Sequence, residues 1–198
     1  ATRVSLDNQA GAQAAVAHLA SLGHRKIGYL GGQQDAPTNV ARRQGWLAGL
    51  RAAGVSPRRS WARELVSDST VGEQMTQAAE NARALLDPAE GVTAIFCFSD
   101  LLAAMLCRVA LDMGRRTPQD LSIVGFDNLS WTALYNPPLT TVTQPLDEMG
   151  RAAGQALLDE LARRDSAGPD SAPGREIVIQ PQLIVRESTA APAKENLA

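Results

Sequence analysis

The segment LSIVGFDNLSWTALYNPPLTTVTQP, residues 121–145, decides the fold, because it holds a buried strand, a polar turn and a second chain crossing. Residues 121–126 are a short apolar, β-branched run entered through Thr117-Pro118-Gln119-Asp120. That is the pattern of a strand buried on both faces of a parallel sheet. Asp127 and Asn128 stand where this strand must end. Polar groups just past the carboxyl end of a parallel strand lie in the crevice where open α/β sheets bind ligands, so Asp127 is a candidate ligand acceptor. The same Asp-Asn pair would equally serve to cap a following helical turn. Pro137-Pro138 excludes helix and imposes an extended path, making 139–143 a strand-like crossing that Gln144-Pro145 ends.

Working outward, strand-like runs alternate with helical ones, which predicts an α/β fold built on an open parallel sheet flanked by helices. Ala12, Ala15, Val16, Leu19 and Leu22 share a helical face before Gly23, and residues 27–30 follow as a strand. A helix burying Trp46, Leu47, Leu50 and Ala53 stops at Gly54. A short strand is expected at 64–66, a helix at 71–86, a strand at 94–98, and a helix striped by Leu102, Leu106, Val109, Ala110 and Met113. After Pro145 comes a helix with Met149, Ala153, Ala156, Leu157 and Leu161 on one side, then the loop DSAGPDSAPG, then a strand over 177–185. Residues 190–198 have little to bury and are expected to fray.

Composition narrows the function classes. With 44% apolar and 20% charged residues, the 198-residue chain is ordinary for a globular fold. A net charge of -2 and a pI near 5.7, with no basic stripe, give no footprint for gripping DNA. No apolar run approaches the roughly 20 residues that span a bilayer, and no secretory signal is visible, so the expected setting is cytoplasmic with no membrane partner. Cys97 and Cys107 fall on apolar stretches without metal spacing, so they are expected to be buried, reduced thiols, with no metal site and no cofactor.

Arg42 and Thr38 lie one helical turn apart on the helix after strand 27–30. A guanidinium fork with a small hydroxyl beside it suits hydroxyls or carboxylates, although a surface Arg and an N-cap Thr fit the pattern as well. Ser99-Asp100 follows another strand and opens a helix; capping explains Asp100, and Ser99 is a candidate contact.

The ordering GFDN, an aromatic before PP, and LTTVTQP resembles the effector-binding core of the LacI/GalR family of bacterial transcription regulators. VSLDNQAG (4–11), LGHRKIGYLGG (22–32), RRQGW (42–46), TAIFCFSD (93–100) and QLIVREST (182–189) continue the resemblance in family order. It implies the carboxyl-terminal lobe of a type I periplasmic-binding-protein-like fold with a remnant of the amino-terminal lobe. Residues 1–189 would be the effector-binding and dimerisation core. Within it, 8–144 and 176–189 would form the lobe, and the helix 145–164 would belong to a lobe encoded before this chain begins. The chain starts without Met, and the helix-turn-helix headpiece that contacts operator DNA is expected outside it. The apolar stripe of the helix after Pro145 would then seek another surface.

The resemblance makes Arg42, three residues before Gly45-Trp46, the effector-binding arginine, and Asp127 the carboxylate that accepts ligand hydroxyls. Thr38, Ser99 and Gln144 become further contacts, with Asp7 between the lobes. The ligand would be a small polyhydroxylated molecule such as a sugar. Ala104, Arg108 and Tyr135 would lie on the face that forms a homodimer, although Tyr135 also fits a core aromatic. The family often stacks an aromatic on the effector near Ser67–Asp68–Ser69, where this chain has none; Trp131 is an alternative source.

Two other classes compete with this reading. A solute-binding protein of a transport system shares the architecture. An enzyme is disfavoured, because the chain has no G-x-S-x-G elbow, Walker loop or dinucleotide fingerprint, and Gly31-Gly32 alone is weak. His18 and His24 fit helix-surface and helix-dipole roles.

Overall fold

The computed structural model describes residues 2–66, 70–167 and 175–193. Its centre is a six-stranded sheet in the order β3-β2-β4-β5-β6-β8. Strands β2 (Ile27–Gln33), β3 (Ala62–Leu65), β4 (Ala94–Cys97), β5 (Ser122–Asp127) and β6 (Thr140–Thr143) run parallel, and β8 (Leu183–Ile184) closes the edge antiparallel to β6. The sequence reading of an α/β fold on a parallel sheet holds, with β3 two residues earlier than expected.

The chain leaves β2 toward β3, then returns past β2 to β4 and continues to β5 and β6. The order therefore reverses between β2 and β4, the kind of switch point beside whose carboxyl strand ends open α/β sheets bind ligands. Right-handed crossovers put α2 (Pro37–Ala52) on one face, beside α1 (Asn8–Ser21), and put α3 (Val71–Leu85) and α4 (Asp100–Asp112) on the other.

Aromatic rings cross the sheet under α1 and α2. Trp46 stacks on Tyr29 at 5.8 Å between centroids, Tyr29 on Phe96 at 5.6 Å, and Phe96 tilts against Phe126 at 6.4 Å. Tyr29, Phe96 and Phe126 are fully buried, and each such side chain stabilises the fold by about 1.5–3 kcal/mol. The row ends at Phe126, beside the crevice.

Helices α1 and α2 approach backbone to backbone. A methyl group at Gly45 would come within 2.2 Å of the Gln9 carbonyl oxygen, and one at Gly49 within 2.6 Å of Val16 Cβ. These two glycines, one turn apart on α2, set how close the first residues of α1 sit to Arg42.

Three expectations need correction. The run 177–185 is two strands, not one: β7 (Glu176–Ile179) pairs in parallel with β1 (Arg3–Leu6) in a separate two-stranded sheet against α5 (Leu146–Ala167). Pro181 falls between β7 and β8 and has no N–H to give a ladder, which breaks the run. Residues 176–179 thus sit with β1 and α5 rather than with 183–189. His24 is not on the surface. It is buried, with Nδ1 2.8 Å from Thr93 Oγ1 and Nε2 3.0 Å from Ser122 Oγ and 2.9 Å from the Ala190 carbonyl. Burial lowers its pKa. Ala190 N also bonds Ser122 Oγ at 3.0 Å, so the fraying expected from 190 does not begin there.

Cys97 and Cys107 are both buried and free, as read from the sequence. On α5, Leu146, Leu157, Leu158 and Leu161 are exposed.

Candidate functional site

Asp127 is the last residue of β5 and has φ 113°, and Asn128 follows at 56°. Non-glycine residues adopt positive φ at a cost of order 1–3 kcal/mol, so the surroundings must over-determine this turn. They do. Asp100 Oδ2 accepts from Leu129 N at 2.9 Å, Arg186 Nη2 donates to Asn128 Oδ1 at 2.7 Å, and Gln144 N donates to the Asp127 carbonyl at 3.2 Å.

Asp100 itself is fully buried, and its other oxygen accepts from Thr141 Oγ1 at 2.5 Å. A methyl group at Gly125 would lie 2.3 Å from that oxygen, so only glycine leaves room for the carboxylate. The helix-capping role expected of Asp100 belongs to Ser99, whose Oγ accepts from Leu102 N at 3.3 Å. Asp100 is the support of the Asp127 turn.

Arg42 is buried on α2 and reaches across the ends of β4 and β5. Its guanidinium carbon sits 3.5 Å over the Phe126 ring and 4.5 Å from the Phe98 centroid. Nε donates to Asn8 Oδ1 at 2.8 Å, Nη1 donates to the Phe98 carbonyl, and Nη1 is 3.6 Å from Asp127 Oδ1. Among the described residues, Nη2 has no hydrogen-bond partner.

Burial raises the Asp127 pKa to about 6, with Arg42 pulling it down and Asp100 pushing it up. Burial lowers the Arg42 pKa, which Asp127 opposes. Both groups are thus partly desolvated charges held at one spot, which makes each a strong partner for an incoming hydroxyl.

Beside Arg42 opens a cleft of about 550 Å³, lined among others by Asp7, Asn8, Thr38, Gln144 and Met149 and, from β1 and β7, by Ser5 and Val178. Of the sequence candidates, Asp7, Thr38, Arg42 and Gln144 therefore converge, and Asp127 joins them through Arg42. Ser99 does not line the cleft; its hydroxyl is spent on the α4 cap. Asp7 caps α1, Oδ1 accepting from Ala10 N at 2.9 Å. Thr38 is exposed and is not the N-cap of α2, which is Ala36, so the capping alternative fails. The sequence reading missed Asn8, Phe98 and Phe126, although Asn8 adjoins Asp7 in VSLDNQAG. Residues 67–69, where a stacking aromatic is missing, lie outside the described residues. Trp131 packs edge-on against Tyr135 at 5.9 Å, an orientation fixed by a different part of the surface.

That surface carries Ala104, Arg108 and Tyr135. The Tyr135 hydroxyl donates to the Ala104 carbonyl at 3.0 Å, and Arg108 pairs with Asp112 at 3.0 Å. Leu101 and Leu111 on the same side of α4, and Leu134 at 88% exposure, are open to solvent. Among the described residues no helix is long and apolar enough to cross a membrane, and no group of three His, Cys, Asp or Glu side chains could hold a metal ion.

Comparison with known proteins places this geometry. The family model described as "Periplasmic binding protein-like domain" matches residues 16–189. The chain is 38% identical over 196 residues to the HTH-type transcriptional regulator reg1 of Streptomyces lividans, covering 98% of this chain and 53% of that protein. Among solved structures, a complex of the transcriptional regulator CelR with cellobiose superposes with a TM-score of 0.81 at 32% identity, covering 94% of this chain and 54% of that one. A LacI family transcriptional regulator from Enterococcus faecium with bound ribose gives 0.78 at 29% identity, covering 98% and 67%. The chain spans about half the length of the curated relatives it matches. With its strand-end cleft and its match over residues 16–189, the chain belongs to the periplasmic binding protein-like domain family, and within that family it is similar to HTH-type and LacI-family transcriptional regulators.

Proposed function

We propose that this domain senses a small polyhydroxylated ligand, a sugar or related polyol, on behalf of a cytoplasmic repressor. The carrying observation is the Arg42–Asp127 pair at the crevice, where, among the described residues, Arg42 Nη2 has no hydrogen-bond partner and the Asp127 carboxylate is partnered through Oδ1 only, leaving Oδ2 to accept. Hydroxyls are both donors and acceptors, and a vicinal pair matches such a clamp. Two structural neighbours hold cellobiose and ribose. Ligand that prefers one arrangement of this lobe against the rest of the regulator shifts its DNA-bound population by that difference in affinity. Operator contact is made by a helix-turn-helix headpiece outside this chain, as the relatives' designation as HTH-type regulators supports. Calorimetric titration of the intact regulator with cellobiose, ribose, other common sugars and purine nucleosides tests the reading. At least one sugar is expected to bind, and Arg42→Ala to weaken it at least 100-fold; unchanged affinity in Arg42→Ala would reject the assignment.

The same regulator is a homodimer through the face of Ala104, Arg108 and Tyr135. The exposed Leu101, Leu111 and Leu134 around them make an apolar patch of the kind that marks an interface. Leu134→Arg is expected to convert a micromolar dimer to monomer in sedimentation velocity while leaving the circular dichroism spectrum unchanged. A dimer of unaltered strength would move the interface elsewhere.

A further inference from the structure

We infer that Asn8 is a positioning residue of the effector clamp: it fixes the orientation of Arg42 and ties it to β1, a strand of the separate two-stranded sheet. This rests on the reading of Arg42 as the effector-binding group. Asn8 opens α1, directly after the Asp7 cap. Its Oδ1 accepts from Arg42 Nε at 2.8 Å, and its Nδ2 donates to the carbonyl of Leu6, the last residue of β1, at 3.2 Å.

The geometry gives this amide a specific task. A guanidinium is planar, so fixing Nε through Asn8 and Nη1 through the Phe98 carbonyl fixes the whole fork and aims Nη2. The cation–π contact with Phe126, 3.5 Å from its centroid, is not directional enough by itself to fix how the guanidinium is turned. Asn8 removes that freedom. Only an amide accepts from Arg42 with one atom while donating to the β1 carbonyl with the other. Leu6 pairs with Ile179 of β7, so the bond chain runs from the two-stranded sheet through Asn8 to the clamp. The close approach of α1 to α2 at Gly45, where a methyl would clash with the Gln9 carbonyl, keeps Asn8 within reach of Arg42.

The test uses the intact regulator with three variants, Asn8→Ala, Asn8→Asp and Arg42→Ala. Two readouts are taken: calorimetric affinity for the same sugars, and the Arg42 Nε–H signal in proton–nitrogen NMR spectra, which needs no effector. Arg42→Ala identifies that signal by its disappearance. Asn8→Ala is expected to lose or broaden the signal and weaken binding about 10- to 100-fold, with a modest fall in melting temperature because the buried Arg42 Nε–H loses its acceptor. Asn8→Asp, which still accepts from Nε but cannot donate to the Leu6 carbonyl, is expected to restore the signal and only part of the affinity. A purely structural role would not be rescued by Asp in the NMR readout. An unperturbed Nε–H signal in Asn8→Ala, or full affinity in that variant while Arg42→Ala binds nothing, would overturn the positioning role and leave the site reading standing. Full affinity in both would instead reject the site.

Discussion

Asp127→Asn is expected to stabilise the domain and to blind it to effector. At neutral pH the ionised Asp127 works against folding, because burial costs its charge more than Arg42 returns, and its pKa stands near 6 instead of 3.8. A carboxylate whose folded pKa is raised favours the fold while protonated. That contribution is complete below about pH 4 and is lost as pH rises through about 6. Each pKa unit corresponds to about 1.4 kcal/mol. The shift already includes the pull of Arg42, and because the carboxyl is partly exposed, solvent screening leaves a net gain of about 1–2 kcal/mol. Asn also tolerates the positive φ of this position better than most residues. Scanning calorimetry should show the variant melting roughly 2–6 °C higher at pH 7.5, with the advantage shrinking to nothing near pH 4.

Affinity moves the other way. The neutral amide accepts a ligand hydroxyl more weakly and does not hold Arg42 by charge, so binding is expected to fall about 100-fold, the scale of a lost charge-assisted hydrogen bond. For the same reason wild-type affinity should decline as pH falls below about 6, where Asp127 takes up its proton, and Asp127→Asn should show no such decline. A variant that is less stable at pH 7.5, or that keeps the wild-type pH profile of binding, would contradict the electrostatic account.

Gly45→Ala is expected to cost about 2–4 kcal/mol, because its new methyl would sit 2.2 Å from the Gln9 carbonyl and 2.7 Å from Ala12 Cβ. Backbone cannot rotate away as a side chain can, so α1 must retreat from α2, and overpacking of this kind destabilises. The retreat also lengthens the Asn8–Arg42 bond, so affinity should fall with stability. Gly150→Ala on α5, with open space around its Cβ position, supplies the contrast: helix propensity alone predicts a gain of about 0.5–1 kcal/mol. Urea denaturation of both variants checks the pair. Equal effects would mean that the approach of α1 to α2 is not limiting.

The sheet was legible because its strands are unbroken apolar runs and its helices stop at Gly23, Gly54 and Gly114, each with positive φ. The site was legible in part, for a physical reason. Arg42 and Asp127 announce themselves as charges beside apolar segments, whereas Asn8 is an ordinary helix-opening residue until α2 is packed on α1. Asp100 read as a cap because its partners, Thr141 and Leu129, are brought to it only when β6 joins β5. His24 was misplaced for the same reason: Thr93, Ser122 and Ala190 are distant in sequence. The break between β7 and β8 was visible as Pro181 but was outweighed by the apolar residues on both sides.

A structure of the intact regulator with the tightest-binding sugar tests the central claim most directly. Ligand hydroxyls are predicted within about 3.2 Å of Arg42 Nη2 and of an Asp127 carboxylate oxygen, in the cleft lined by Asp7, Thr38 and Gln144. A sugar bound elsewhere, with the Arg42–Asp127 pair unoccupied, would contradict the account.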